Sequence, residues 1–305
     1  MALESDLLID RRRLKRRLSL WRAAAVLLAA GGLVLALTRG GEAPLLPGRG
    51  HVARLPVDGF ISDDREVVEA IDKLAKDGSA RALIVDVDSP GGSVGGGEML
   101  HAALNRLRAS KPVVTVMRGT AASAGYMAAI AADRVFAREA TVTGSIGVLL
   151  QSVDASDLLS RIGIAPVVIA SGPLKAQPNP LLPLSPEARE HLERVIGDMH
   201  EQFVAKVVAG RRLPEPQVRA LADGRVLTGR QALAAGLVDA IGGEREARAW
   251  LAAERGVPEE LPVREVETRG VSERLFGAAL GGLAKTLASE WLGVDGFRLL
   301  WQLPR

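Results

Sequence analysis

The chain of 305 residues contains no cysteine. That removes disulfides, thiol catalysis, thiolate metal sites and a lipidated cysteine anchor, and it leaves the redox compartment open. Aromatic residues are scarce, at 3% with a single tyrosine, so the stacking platforms of single-stranded nucleic-acid binders are missing and no nucleic-acid partner is expected. Phosphate signatures are missing too: neither Gly-x-x-x-x-Gly-Lys-Ser/Thr nor Gly-x-Gly-x-x-Gly directly after a strand occurs. The Gly-x-Ser-x-Gly nucleophile signature does not surround Ser123, which stands in Ala121-Ala122-Ser123-Ala124-Gly125. Histidine is limited to His51, His101, His191 and His200, and His200-Glu201 lacks the second histidine of a zinc-protease helix because Val204 stands there. No metal and no cofactor is expected.

What is present points to a folded body with a membrane-facing start. At 48% hydrophobic and 25% charged residues the chain can bury a sizeable core, as one large domain with appendages or as two small ones. The net charge of +3 owes much to Arg11-Arg12-Arg13-Leu14-Lys15-Arg16-Arg17, a cluster that suits a membrane surface. Residues 23–37 are then entirely apolar or glycine. A transmembrane helix needs about 17–25 residues, so a span over 23–38 uses Trp21 and Thr38 at its interfaces. The basic flank places residues 1–22 in the cytoplasm and the body on the outer face, which in a bacterium is the periplasmic face of the inner membrane. A cleavable signal peptide is the competing reading of so short an apolar core. The long leading segment with Glu4, Asp6 and Asp10, and the absence of a clear small-x-small cleavage site, favour an uncleaved anchor. Residues 39–50, rich in glycine and proline, read as a linker.

From 51 to 265 short apolar runs alternate with helical patterns, which predicts a parallel α/β core. Strands are expected at 52–57, 82–87, 112–117, 134–137, 142–150 and 167–170. Helices are expected over 63–77, with Val67, Val68, Ile71 and Leu74 on one face, over 98–109, after Ser123, and over 186–210. In the last, Pro186 opens the helix and Leu192, Val195, Ile196, Met199, Phe203 and Val207 form the apolar stripe. A turn and short strand over 222–230 leads into another helix with Thr228 as its cap. Residues 266–305 form a separate apolar-rich tail.

The chemistry centres on Gly119-Thr120-Ala121-Ala122-Ser123-Ala124-Gly125-Tyr126. A strand, a tight turn of small residues, a serine and a helix present a hydroxyl on an elbow; the plainer reading is that Ser123 caps the helix. Two other strand ends, 89–93 and 143–147, are also rich in glycine and serine, and a parallel sheet places its site at such ends. The Pro90-Gly91-Gly92 turn and the N–H that follows Ser123, on Ala124, are candidate donors to an oxyanion. The plain alternative for the glycine pair is an ordinary tight turn. A serine nucleophile needs a base, and the histidines lie beside the linker or within helices. Among the lysines, Lys73, Lys76 and Lys111 read as solvated, whereas Lys175 alone follows a strand end in a loop of small residues and prolines. A lysine base near neutrality needs its pKa lowered by about three units, roughly 4 kcal/mol of disfavoured charge. Ser145 is the candidate hydroxyl to orient the neutral amine.

Asp88-Ser89-Pro90-Gly91-Gly92, Ala121-Ala122-Ser123-Ala124-Gly125-Tyr126, Thr143-Gly144-Ser145-Ile146-Gly147, Ser171-Gly172-Pro173-Leu174-Lys175, Asp223-Gly224-Arg225-Val226 and Gly236-Leu237-Val238-Asp239 occur in order. Together they resemble the signal peptide peptidase A (protease IV) family in its short, single-domain form. The resemblance implies a Clp protease/crotonase-like fold of repeated strand–helix units over 51–265. It implies a membrane-anchored serine endopeptidase that degrades signal peptide remnants and other membrane-associated peptides. Ser123 takes the nucleophile position, Lys175 the general base, Ser145 the supporting hydroxyl, and Gly91, Gly92 and Ala124 the oxyanion hole. Ala124 stands where a glycine is common, which still leaves a backbone N–H. A homo-oligomeric ring is implied as well, with the serine of one protomer meeting the lysine of its neighbour. Two other functions compete: an idle family member that scaffolds membrane proteins, and a crotonase-type acyl-CoA enzyme. The Ser123 and Lys175 pair argues against both.

Overall fold

A computed structural model describes Trp21 and residues 50–268. The basic segment, the expected span at 23–38, nearly all of the linker and the tail from 269 onward lie outside the described residues. Among the described residues no helix is long and apolar enough to cross a membrane.

The apolar runs pair into one sheet. Strands β1 (His51–Ile61), β2 (Ala80–Gly92) and β3 (Val113–Ala122) form its parallel centre, with β8 (Val263–Glu265) beside β1. Along its other edge β3 pairs first with β4 (Arg134–Ala137) and then with β5 (Val142–Gly144). Strand β7 (Ala240–Ile241) pairs parallel to β4, and β6 (Val226–Thr228) runs antiparallel to β5. Alternate residues go to opposite faces. Leu55, Val57, Leu83, Val85, Val87 and Met117 enter the larger core, while Val52, Ala82, Ile84, Val114 and Val116 enter the smaller one.

Helices α1 (Arg65–Lys76), α2 (Val94–Arg108) and α3 (Ala124–Ala129) cover the larger face, as does the second half of α5 (Pro186–Arg211), through Phe203, Val204 and Val207. Their starts are chemically marked. Asp64 Oδ1 accepts the N–H of Glu66 at 2.9 Å, Ser93 Oγ that of Gly96 at 3.1 Å, and Ser185 Oγ that of Ala188 at 3.1 Å. Helix α6 (Glu215–Leu221) follows, and Thr228 forms a capping box with Gln231 at the start of α7 (Gly229–Ala234). Helix α8 (Glu244–Arg255) covers the smaller core with Ala247 and Leu251.

Several expectations need correction. Strand β2 runs on through Ser89, Pro90, Gly91 and Gly92, because Phe60 and Ile61 of β1 extend alongside and pair with the glycines. Helix α2 begins at Val94 rather than near 98, because Ser93 caps it. Residues 142–150 yield only the three-residue β5, which the positive φ of Gly144 and Ser145 ends. Residues 167–170 form no strand: Val167 is 84% and Ile169 96% exposed, with no neighbouring strand to receive them. Lys111 is half-buried, its ammonium donating to the Ala80 carbonyl at 2.7 Å and to that of Asp77. Burial lowers its pKa.

The carboxyl half of α5 is fastened to the sheet by a largely buried ion pair. Arg211 donates to both Asp239 oxygens at 2.7 and 2.9 Å and to the Gly236 carbonyl at 3.1 Å, and Asp239 also accepts the Val135 N–H at 2.7 Å. Burial by itself would raise the Asp239 carboxyl, but the Arg211 guanidinium and the Val135 N–H hold it below the usual value. A depressed acid contributes stability that is complete above about pH 4 and is lost as pH falls through the lowered folded value. Melting temperatures recorded from pH 7 to pH 2 should therefore fall less steeply for Asp239→Asn than for the unaltered protein. Parallel curves would show that the pair carries no pH-dependent stability. Arg211→Ala should cost about 3–5 kcal/mol, because it leaves a buried carboxylate alone.

Candidate active site

The site is built where β3 ends. Ser123 has φ 52° and ψ −120°, one of three described non-glycine residues with positive φ. Such a conformation costs about 1–3 kcal/mol and persists only where the surroundings enforce it. They do so from two sides. The Ser123 N–H donates to the Gly144 carbonyl at 3.0 Å, and the Ser123 carbonyl accepts the N–H of Met127 at 2.9 Å. Its hydroxyl makes no capping bond to the helix. Of the two readings open in the sequence, the geometry is that of an elbow and not of a side-chain cap.

The glycine turn of β2 closes on this elbow. Gly91 has φ +127°, and a Cβ there would stand 2.9 Å from Ser123 Cβ and 3.3 Å from its Oγ. Only glycine accepts both the dihedral and the contact. Behind the serine, a Cβ on Gly125 would stand 3.0 Å from the Ser89 carbonyl, and one on Gly97 would stand 2.8 Å from the Ala124 Cβ. Ala124 is thus accommodated in the first turn of α3 by a glycine across from it on α2. Lying in that first turn, its N–H has no intrahelical acceptor.

From the other flank, Gly144 pairs with Ala122 and is followed by Ser145 at φ 49°, whose N–H donates to the Arg225 carbonyl at 2.8 Å. Ser123, Gly91, Gly92, Ala124 and Ser145 therefore gather at the carboxyl ends of neighbouring strands. Lys175 is not joined to them. It is exposed in a turn where its N–H reaches the Gly172 carbonyl at 3.2 Å, and no hydrogen bond links its ammonium to Ser123 or Ser145. His101, His191 and His200 lie on α2 and α5, and none is hydrogen-bonded to Ser123. Burial, with the nearby Lys206 and Arg108 charges, pushes His101 down to about 4.

Charged and phenolic groups set the frame. Arg118 bridges three strands, paired with Asp58, with Asp86 at 3.3 Å and with Asp88 at 4.0 Å. Asp88 also accepts the Thr120 N–H at 3.0 Å, just before the elbow. Burial raises the Asp86 carboxyl against the pull of Arg118. The fully buried Tyr126 hydroxyl donates to the Leu237 carbonyl at 2.9 Å, and burial raises its pKa, so it stays neutral and tethers the elbow helix. The sequence shows Tyr126 only as part of a motif; its distant partner is a tertiary fact.

Comparison with known proteins gives the class to which this sheet and its strand-end serine belong. The family model for Clp protease matches residues 60–146, and that for peptidase family S49 matches residues 105–258. A Synechocystis protein named "Putative protease slr0021" is 37% identical over 221 residues, 72% of this chain and 80% of that one. An Enterococcus faecium protein named "Putative signal peptide peptidase SppA" is 28% identical over 258 residues, 80% of this chain and 73% of that one. Among solved structures, a Listeria monocytogenes ClpP1 variant aligns with a TM-score of 0.42 at 18% identity, covering 63% of this chain and 92% of its own. The chain belongs to peptidase family S49, the signal peptide peptidase A family.

The close approach at Gly91 yields a test. Gly91→Ala should lower peptide turnover by at least about 100-fold, because the added methyl meets Ser123 and the dihedral disfavours any side chain. Steady-state hydrolysis of a fluorogenic peptide, with circular dichroism to verify folding, checks it. A folded variant with unchanged turnover would remove Gly91 from the site.

Proposed function

We propose that the chain is a membrane-anchored serine endopeptidase in which Ser123 is the nucleophile and Lys175 the general base. The observation that carries this reading is the backbone of Ser123: a strained φ of 52°, an uncapped hydroxyl, and a glycine turn held against it. Ser123 Oγ attacks the scissile carbonyl carbon while its proton passes to the neutral lysine amine. The resulting oxyanion takes hydrogen bonds from one backbone N–H of the glycine turn and from that of Ala124. Collapse breaks the C–N bond, the ammonium returns its proton to the leaving amine, and water then hydrolyses the acyl-enzyme by the reverse roles. Ser145 orients the amine.

The dyad forms between protomers. In one protomer the Lys175 ammonium stands exposed, on an arm whose apolar side chains have no cover: Leu149 is 80%, Leu158 62% and Ile169 96% exposed, and helix α4 (Ser156–Arg161) within it buries nothing. So much unburied apolar surface marks an interface. Head-to-tail contacts close into a ring when the rotation permits, and there the lysine of one protomer serves the serine of the next. The substrates are apolar peptides left at the membrane after signal peptide cleavage, reached from the outer face by a body tethered through residues 23–38. The small side chains about the site fit such substrates, so peptides with Leu or Ala beside the scissile bond should be cut faster than acidic ones.

Ser123→Ala and Lys175→Ala should each lower peptide hydrolysis by at least about 1,000-fold. Co-assembly of the two inactive variants should restore part of the activity, because some interfaces pair an intact serine with an intact lysine. Verified mixed assemblies that stay inactive would place the dyad within one chain, and substantial turnover by Lys175→Ala alone would dismiss the lysine as base.

A further inference from the structure

Ser89 takes no part in the chemistry above, yet its side chain is wholly buried against the turn that faces Ser123. We propose that Ser89 is a positioning residue for the oxyanion-binding turn: its hydroxyl occupies the N–H of Gly91 and ties the turn to β1, leaving the N–H of Gly92 as the donor directed at Ser123. The proposal rests on the serine-peptidase reading of the site.

Three bonds carry it. Ser89 Oγ accepts the Gly91 N–H at 3.1 Å, and it lies 2.6 Å from the Gly59 carbonyl and 3.2 Å from the Gly91 carbonyl. A hydroxyl has one proton, which goes to the nearer Gly59 carbonyl. Both ladders are irregular at this level: the β1–β2 register shifts between Asp58 and Phe60, and the β2–β3 register between Val87 and Ser89. The hydroxyl therefore spans a place where regular strand pairing is interrupted, and it satisfies backbone groups that would otherwise be buried without partners.

The direction of the Gly92 N–H follows from the register. Gly92 lies opposite Ile61 in a parallel pair, and the next N–H, that of Ser93, donates to the Ile61 carbonyl at 2.9 Å. In such a ladder the residue between the bonding groups turns its own N–H and carbonyl to the strand's other side. The other side of β2 is β3, which ends at the elbow. Gly91 cannot be that donor, because its N–H is committed to Ser89. Without the Ser89 hydroxyl the Gly91 peptide is free to rotate, and the Gly92 N–H no longer holds a fixed aim.

Ser89→Ala in the full chain tests this, with active sites titrated by a fluorophosphonate so that turnover is expressed per competent site. The expected result is a kcat lowered about 10- to 100-fold, below the effect of deleting a donor outright, with KM within about threefold. The inhibition constant of a peptide boronate, whose tetrahedral adduct uses the same donors, should rise by the factor by which kcat/KM falls. A kcat within twofold of the unaltered protein overturns the proposal, as does a lowered kcat with unchanged boronate affinity. Should Ser89→Ala give no titratable sites, Ser89→Cys, whose thiol donates and accepts only weakly, is read by the same measurements and criteria. Ser123→Ala in parallel separates the two levels. Turnover retained there dismisses the serine-peptidase reading itself, whereas an inactive Ser123→Ala beside a fully active Ser89→Ala dismisses only the role of Ser89.

Discussion

The contact between Gly91 and Ser123 is the constraint on which the site depends. A Cβ at position 91 would come within 2.9 Å of the serine Cβ, so two strand ends are pressed together as closely as backbone allows. The rest of the molecule holds them there. Arg118 gathers the carboxylates of β1 and β2 beside the elbow, Tyr126 fixes the helix that follows, and the Arg211–Asp239 pair locks α5 against β4 and β7. Strain at Ser123 of about 1–3 kcal/mol is small beside these attachments, which is why its outlying dihedral persists.

Much of this was legible in the sequence because it rests on local pattern. The apolar runs of β1, β2 and β3 and the helix of Val67, Val68, Ile71 and Leu74 follow from periodicity, and Thr228 is found in its cap. Strand lengths were not legible. Ser-Pro-Gly-Gly reads as a loop, yet residues 89–92 continue β2 because Phe60 and Ile61 lie beside them, a pairing across some thirty residues that no local signal carries. Residues 167–170 fail in the opposite sense: the pattern is that of a strand, but no neighbour within the protomer takes it up. The Ser89 hydroxyl was invisible for the same reason, since its value lies in Gly59 and the bulges on either side of it.

The protomer divides into a packed body and an unpacked arm. The body buries Tyr126, Phe203 and the sheet interior almost completely, while Leu149, Val153, Leu158 and Ile162 stand out in the arm. The proposed donors lie on the body, and Lys175, the proposed base, lies on the arm. An arrangement that completes the chemistry only when the arm is covered would couple activity to assembly, and an isolated protomer would carry the serine and its turn without a base.

The central claim is that Ser123 is a nucleophile presented on a strained elbow. Its most direct test is to treat the full chain with a fluorophosphonate, digest it and locate the adduct by mass spectrometry. The expected result is one adduct, on the peptide that contains Ser123, absent after heat denaturation. Modification of a different serine, or none in a folded protein that cleaves peptides, would contradict the account.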